Sequence, residues 1–365
     1  MTTPSLHQFE NSVWQHAAEL AQAGIERRFP GAAAEYFAPW GATAIEQAAR
    51  VLAAATCIRT TCVGIVSGFC VVPPGADDSH APAAETDGPP AALLLAELLA
   101  ALGTHTVLVG DRHVRPVLET GLRHRRIAGV PIAVFPDDVN SPAAADRWCR
   151  AVLRGALGQR LTHLVAVERA GPSHTIDSVR RQANDEATVR CFVASVPADD
   201  HDRCHNMRGE VIDRFTPPLH RLFELAAAES SPLATIGVGD GGNEIGMGSL
   251  PWRLFDELAR RPADAAEKVL SRVACRVATD TTIVAGTSNW GGFALALGVA
   301  ALRGLSRTAV VDAVGHQRDL VERLVDQGGA VDGFSGRRRP LVDGLDTTKH
   351  FAALAAMHDL FFTAD

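Results

Sequence analysis

Acidic residues recur just past the β-branched runs of this chain: Asp111 after VLVG, Asp137 and Asp138 after VFP, Glu168 after LVAV, Asp240 after IGVG and Asp280 after RVAT. Singly, each reads as the N-cap of a following helix, because a carboxylate there accepts N–H groups that the first helical turn leaves free. Gathered at the carboxyl ends of strands, where open α/β sheets hold their ligands, they predict a negatively charged bowl. Oxygen ligands without His/Cys spacing suit a hard divalent cation, Mg2+ or Mn2+, rather than Zn2+.

The densest feature is Gly237–Gly248, GVGDGGNEIGMG, with six glycines in twelve residues. It contains the spacing G-x-G-x-x-G at Gly237, Gly239 and Gly242. A dinucleotide site would also need an acid about 20 residues on, at the end of the next strand. Asp256 and Glu257 fall there, but inside the helical stretch WRLFDELARR, while Asp240 and Glu244 would repel a pyrophosphate. NAD is therefore not expected. The loop instead offers close backbone approach at Gly239, Gly241 and Gly242. Its N–H groups, at a helix N-terminus, are suited to a carboxylate or phosphate oxygen. Asp240, Asn243 and Glu244 add oxygen-bearing side chains for metal ligation or proton transfer.

These residues need a frame. Short apolar runs at Cys62–Val71, Thr104–Gly110, Val130–Phe135, Leu161–Val167, Thr235–Val238 and Arg276–Ala285 predict strands. Between them, Pro90–Leu102, Arg112–Arg125, Pro142–Leu157, Pro217–Ala228, Glu244–Arg260 and Gly292–Leu302 predict helices. This alternation predicts an α/β fold, a mostly parallel sheet with helices on both faces and the active site at the carboxyl ends of the strands. Helices at Ser5–Ala23 and Gly41–Ala55 predict a helical N-terminal extension, and Lys349–Phe361 a final helix. The expected organisation is a helical segment over 1–60 on a main α/β domain over 61–305, with 306–365 its C-terminal helical part. The five-proline stretch Pro73–Pro90 reads as a loop, suited to a lid.

Composition excludes several classes. A net charge of −7 over 365 residues argues against nucleic acid as partner. Lys268 and Lys349 are the only lysines, and neither follows a glycine. A lysine-bearing phosphate loop is thus impossible, and ATP is not expected. Both lysines lie in helix-like stretches, so a PLP Schiff base is not expected either. Seven cysteines without a C-x-x-C pair, an N-terminus without a signal-peptide pattern, and no apolar run of about 20 residues predict a soluble, cytoplasmic protein with no membrane partner.

At the glycine-rich loop the sequence resembles the D-glutamate cyclase family. Further segments resemble it in the same order: Ser67-Gly68-Phe69, ETDGPP at Glu85–Pro90, Glu168-Arg169-Ala170-Gly171, Asn206-Met207-Arg208-Gly209, Ala278-Thr279-Asp280 and Ser288-Asn289-Trp290-Gly291-Gly292. The resemblance spans roughly residues 60–305. It implies a hydro-lyase of D-amino acid metabolism that converts D-glutamate, or a related acidic amino acid, to 5-oxo-D-proline and water.

Such cyclisation needs a base for the α-amine, charge neutralisation at the γ-carboxylate and a proton for the departing oxygen. With that resemblance, Glu85, Asp87, Asp240 and Glu244 are the expected catalytic set. Asp240, Glu244, Glu85, Asp87, Asp280 and Glu168 are the expected ligands for Mg2+ or Mn2+. Gly241 and Gly242 N–H groups with Arg208 are expected to hold the substrate α-carboxylate, and Asn243, Asn206 and Asn289 to orient the substrate. Two alternatives stay open: a Mg2+/Mn2+-dependent phosphohydrolase of small phosphate esters, and a non-catalytic module binding an acidic metabolite. Homo-oligomerisation is left open.

Overall fold

The apolar runs of the sequence assemble into one six-stranded sheet in the computed structural model, which describes residues 6–29, 34–72, 82–229, 233–260 and 269–362. Its strands are β1 (Cys62–Ser67), β2 (His105–Gly110), β3 (Ile132–Val134), β4 (His163–Val167), β5 (Ala234–Gly239) and β6 (Thr281–Val284). They lie in the order β3-β2-β1-β4-β5-β6, and every pairing is parallel. The strand order reverses between β1 and β4, and this switch point opens a crevice at the carboxyl edge of the sheet.

Side chains alternate across the strands and feed a core on each face. On one face Val63, Ile65, Val165, Val167, Ile236 and Val238 meet α1 (Asn11–Ala21), α2 (Ala42–Ala55), α3 (Pro89–Ala101) and α4 (Arg115–His124). On the other, Val66, Val107, Val109, Leu164 and Ala166 meet α5 (Pro142–Leu153), α6 (Ile176–Ala183), α7 (Glu186–Ser195), α8 (His220–Ala227), α9 (Trp252–Arg260) and α10 (Leu270–Val273). Helix α11 (Ser288–Leu302) joins the first face and is buried all round. Its apolar sequence and small residues allow this, since a Cβ at Gly292 would lie 2.6 Å from the Cβ of Ala91 in α3. Helices α12 (Arg307–Gly315), α13 (Leu320–Asp326) and α14 (Thr347–Phe361) complete that layer.

Two expectations change. The stretch read as one helix over Glu244–Arg260 is irregular from Glu244 to Pro251, and the helix begins at Trp252. The strand read over Arg276–Ala285 is confined to Thr281–Val284. The first part of the Pro73–Pro90 loop, residues 73–81, lies outside the described residues. All seven cysteines are unpaired. Among the described residues, no helix is long and apolar enough to cross a membrane.

Candidate active site

Two helix N-termini meet over the switch point, and each is capped by a residue from the other. Pro89 and Pro90 open α3 without N–H groups, leaving Gly88 and Ala91 as donors. Both donate to Oδ1 of Asn289, the second residue of α11, at 3.1 Å, while its Nδ2 donates to the Thr86 carbonyl at 3.0 Å. In return Asp87 accepts from the backbone N–H groups of Ser288 at 2.8 Å and Asn289 at 2.7 Å, and from Gly88 at 3.0 Å. The ETDGPP and SNWGG motifs are thus one reciprocal cap. It projects Glu85 and Asp87 over the ends of β1 and β4, where a Cβ at Gly88 would strike Glu168 at 2.6 Å.

Glu168 leaves β4 with φ of +47°, a strained conformation for a residue with a long side chain. Its Oε2 accepts from the Ser288 hydroxyl at 2.5 Å, and its N–H donates to the Val238 carbonyl. The next residue, Arg169, is fully buried; it pairs with Asp111 and donates to the carbonyls of Gly68 and Pro217. Ala170 bridges to Glu244, so the turn after β4 is stitched to the glycine loop after β5. That loop curls around its own acid: Glu244 accepts from Gly241 N–H at 2.7 Å and Gly242 N–H at 2.8 Å.

The site closes with residues from both ends of the chain. At the end of α1 the backbone of Ala21 accepts from Gly286, and beyond it buried Phe29 packs against Phe37 with ring centroids 4.6 Å apart, which holds the segment beside the site. Arg28 there donates through Nε and Nη2 to Asp240 Oδ2 at 3.0 and 2.9 Å, and through Nη2 to Asp343 Oδ1 at 2.5 Å. Asp343 sits with Gly344 at the tip of the hairpin joining Leu341–Val342 to Leu345–Asp346, both at positive φ. Asp-Gly is the pair such a two-residue turn selects. Backbone bonds from Thr86 to Val331 and from Val331 to Ala84 tie this C-terminal segment to the Glu85 turn. Gly333 is pressed against Glu85, where a Cβ would lie 1.9 Å from Oε2.

Six buried carboxyl groups, Glu85, Asp87, Glu168, Asp240, Glu244 and Asp343, thus face one guanidinium. Burial, then the neighbouring Asp343 and Asp87 charges, push the Glu85 carboxyl well above its ordinary range. Burial and Asp343 do the same to Asp87, against the N–H groups that cap it. Glu168 is raised by burial, Glu244 and Asp240. Burial raises Asp240 although Arg28 opposes it, and burial raises Glu244 although its backbone donors oppose it. Burial works against the Arg28 charge, but Asp240 and Asp343 outweigh it and hold the guanidinium pKa well above its usual value.

The set fits a divalent cation. One oxygen from each of Asp87, Asp240 and Asp343 lies within 4.8 Å of the others, as does one from each of Glu168, Asp240 and Glu244. Asp343 Oδ2 is buried with no hydrogen-bond partner. A buried, unpaired carboxylate oxygen beside other carboxylates is costly unless a cation or proton meets it.

Of the residues singled out in the sequence, the fold brings together Glu85, Asp87, Glu168, Asp240 and Glu244. Asp280 is not with them. It precedes β6, is exposed, and accepts from the Thr235 N–H and hydroxyl at 2.8 and 2.9 Å on the opposite edge of the sheet. The Gly241 and Gly242 N–H groups hold Glu244 rather than standing free for a substrate carboxylate, and no helix follows them. Asn206 is occupied in its own turn, accepting from Arg208 and Glu210 N–H groups. Asn243 donates to the His205 carbonyl, and Asn289 is the cap described above. Arg208 is exposed and makes no ion pair among the described residues. The cation on the carboxylates is Arg28, which carried no motif. For Asp343 the Asp-Gly dipeptide signalled a hairpin, though not its destination.

Comparison with known proteins agrees with the motifs. The family profile described as D-glutamate cyclase-like, C-terminal, matches residues 38–188 and 194–358, reaching beyond the motif-bearing stretch at both ends. The mitochondrial D-glutamate cyclase of Homo sapiens is 31% identical over 226 residues, which cover 60% of this chain and 30% of that protein. With its profile match running from before β1 into the last turn of α14, the chain belongs to the D-glutamate cyclase-like family.

Proposed function

We propose that this protein is a D-glutamate cyclase-like lyase acting on D-glutamate or a related acidic amino acid to give 5-oxo-D-proline and water. The observation that carries the reading is Glu85: its carboxylate is buried within the cluster, pressed against Gly333, and is pushed well above its ordinary pKa by burial and the neighbouring Asp343 and Asp87 charges. In the reaction a bond forms between the amine nitrogen and the carbon of the γ-carboxylate, and one C–O bond of that carboxylate breaks. The ammonium loses two protons and the departing oxygen gains two, so the site has to relay protons rather than supply them. A carboxyl group with a raised pKa suits that relay, because it takes up a proton more readily than an ordinary carboxylate does.

Asp240, with Asp87 and Asp343 or with Glu168 and Glu244, would hold a divalent cation. When bound, such an ion would neutralise charge on the γ-carboxylate and make it a better electrophile. Asp87 and Glu244 are fixed by backbone N–H groups, so they position the site rather than move protons. Glu168 is oriented by Ser288. The phosphohydrolase alternative loses its main support, since the glycine-loop N–H groups are filled by Glu244.

The test is formation of 5-oxoproline from D-glutamate and L-glutamate, with Mn2+ or Mg2+ and after chelation. Turnover of D-glutamate that falls at least about 100-fold in Glu85→Gln supports the relay role. Phosphate-ester hydrolysis without any cyclisation would overturn the reading.

A further inference from the structure

Arg28 stands where an incoming cation would go. Its guanidinium occupies Asp240 Oδ2 at 2.9 Å and Asp343 Oδ1 at 2.5 Å, on the two carboxylates that also belong to the Asp87–Asp240–Asp343 triad. Asp240 and Asp343 are 2% and 3% exposed, whereas the Arg28 side chain is 20% exposed, so the arginine lies on the open side of the site. It comes from the stretch ahead of the region matched by the family profile, on a segment anchored by Phe29. A monovalent guanidinium and a divalent ion within contact of the same carboxylates repel one another, and the open side gives the arginine somewhere to go.

Resting on the cyclase reading, we infer that Arg28 is a resident counter-cation that competes with the divalent ion for Asp240 and Asp343 and, once displaced, takes a carboxylate of the substrate. The resting site is charge-compensated by the chain itself. On loading, the planar fork exchanges two aspartates for one substrate carboxylate, a partner of the same chemistry that it can meet bidentately. Arg28 thereby sets both the affinity for the ion and the preference for a diacid substrate.

The experiment titrates the full chain, stripped with chelator, with Mn2+ by calorimetry, and then measures D-glutamate kinetics at saturating Mn2+. Arg28→Gln is expected to bind Mn2+ about tenfold more tightly, the order expected from removing a partly exposed competing ion pair. It is also expected to raise KM for D-glutamate by at least about tenfold, with a smaller change in kcat. Arg28→Lys keeps the charge, and with it the fold if Gln does not, but cannot span both carboxylates; it should bind Mn2+ about threefold more tightly. Unchanged or weaker Mn2+ binding in both variants overturns the competition while leaving the cyclase reading intact. Tighter Mn2+ with unchanged KM overturns the carboxylate role. Absence of Mn2+ binding in all three proteins overturns this inference together with the cation part of the cyclase reading.

Discussion

Replacing Asn289 by alanine tests whether the reciprocal cap holds the site together. The side chain is fully buried and serves three backbone groups: the N–H of Gly88, the N–H of Ala91 and the carbonyl of Thr86. Alanine leaves the Ala91 N–H and the Thr86 carbonyl without a partner, at about 1–3 kcal/mol each, and the Gly88 N–H with its bond to Asp87 alone. Water entering the vacated volume recovers part of this, so the expected loss is about 2–4 kcal/mol. A 365-residue chain unfolds with an entropy near 0.8 kcal/mol/K, so the calorimetric midpoint should fall by about 3–5 °C. Because the same turn carries Glu85 and Asp87, Mn2+ affinity should fall as well. Asn289→Asp separates the roles: it keeps both acceptor bonds but sets a carboxylate oxygen against the Thr86 carbonyl. A midpoint within about 1 °C of wild type and an unchanged Mn2+ affinity for Asn289→Ala would refute the argument.

Further outcomes follow from the same geometry. Gly333→Ala puts a methyl 1.9 Å from Glu85 Oε2, so the carboxylate has to move; turnover should fall at least about 100-fold while the midpoint changes little, and full activity would show that Glu85 need not sit there. Glu85→Gln, while losing turnover, should raise the midpoint of the metal-free protein, because it removes an ionisable group whose charge is opposed by burial and by Asp343 and Asp87. The pH dependence has a definite sign. Glu85, Asp87, Glu168 and Asp240 have folded pKa values above their unfolded ones, so their contribution is lost as pH rises through the raised values. The chelated protein should therefore gain stability on going from about pH 8 to about pH 6, and a midpoint that falls over that interval contradicts the assignment. Burial holds His174 at about 3 and His220 and His350 at about 4, so they work the other way, their contribution being lost as pH falls from the ordinary histidine value toward theirs. Mn2+ affinity should weaken on acidification, because the ligating carboxylates must be deprotonated.

The sequence by itself determined the parts whose cause is local. The apolar strands alternating with helices require a parallel sheet covered on both faces, since neither element can leave its apolar surface in water. The acids following β4 and β5 land in one crevice because every strand of a parallel sheet ends on the same edge. That rule failed for Asp280, where the strand starts later than the apolar run suggests and turns the acid to the far edge. Only the tertiary structure decided which polar groups are already occupied. Gly241, Gly242, Asn243 and Asn289 look like ligand-binding residues in one dimension, but three-dimensional proximity gives their hydrogen bonds to Glu244, the His205 carbonyl and the helix ends. Arg28 and Asp343, separated by most of the chain, meet because α1 docks on the turn after β6 and the C-terminal hairpin pairs beside Glu85. No local pattern encodes that meeting, because it depends on how separate layers close over one sheet edge. It is this closure that turns a row of strand-end acids into a compensated, buried cluster.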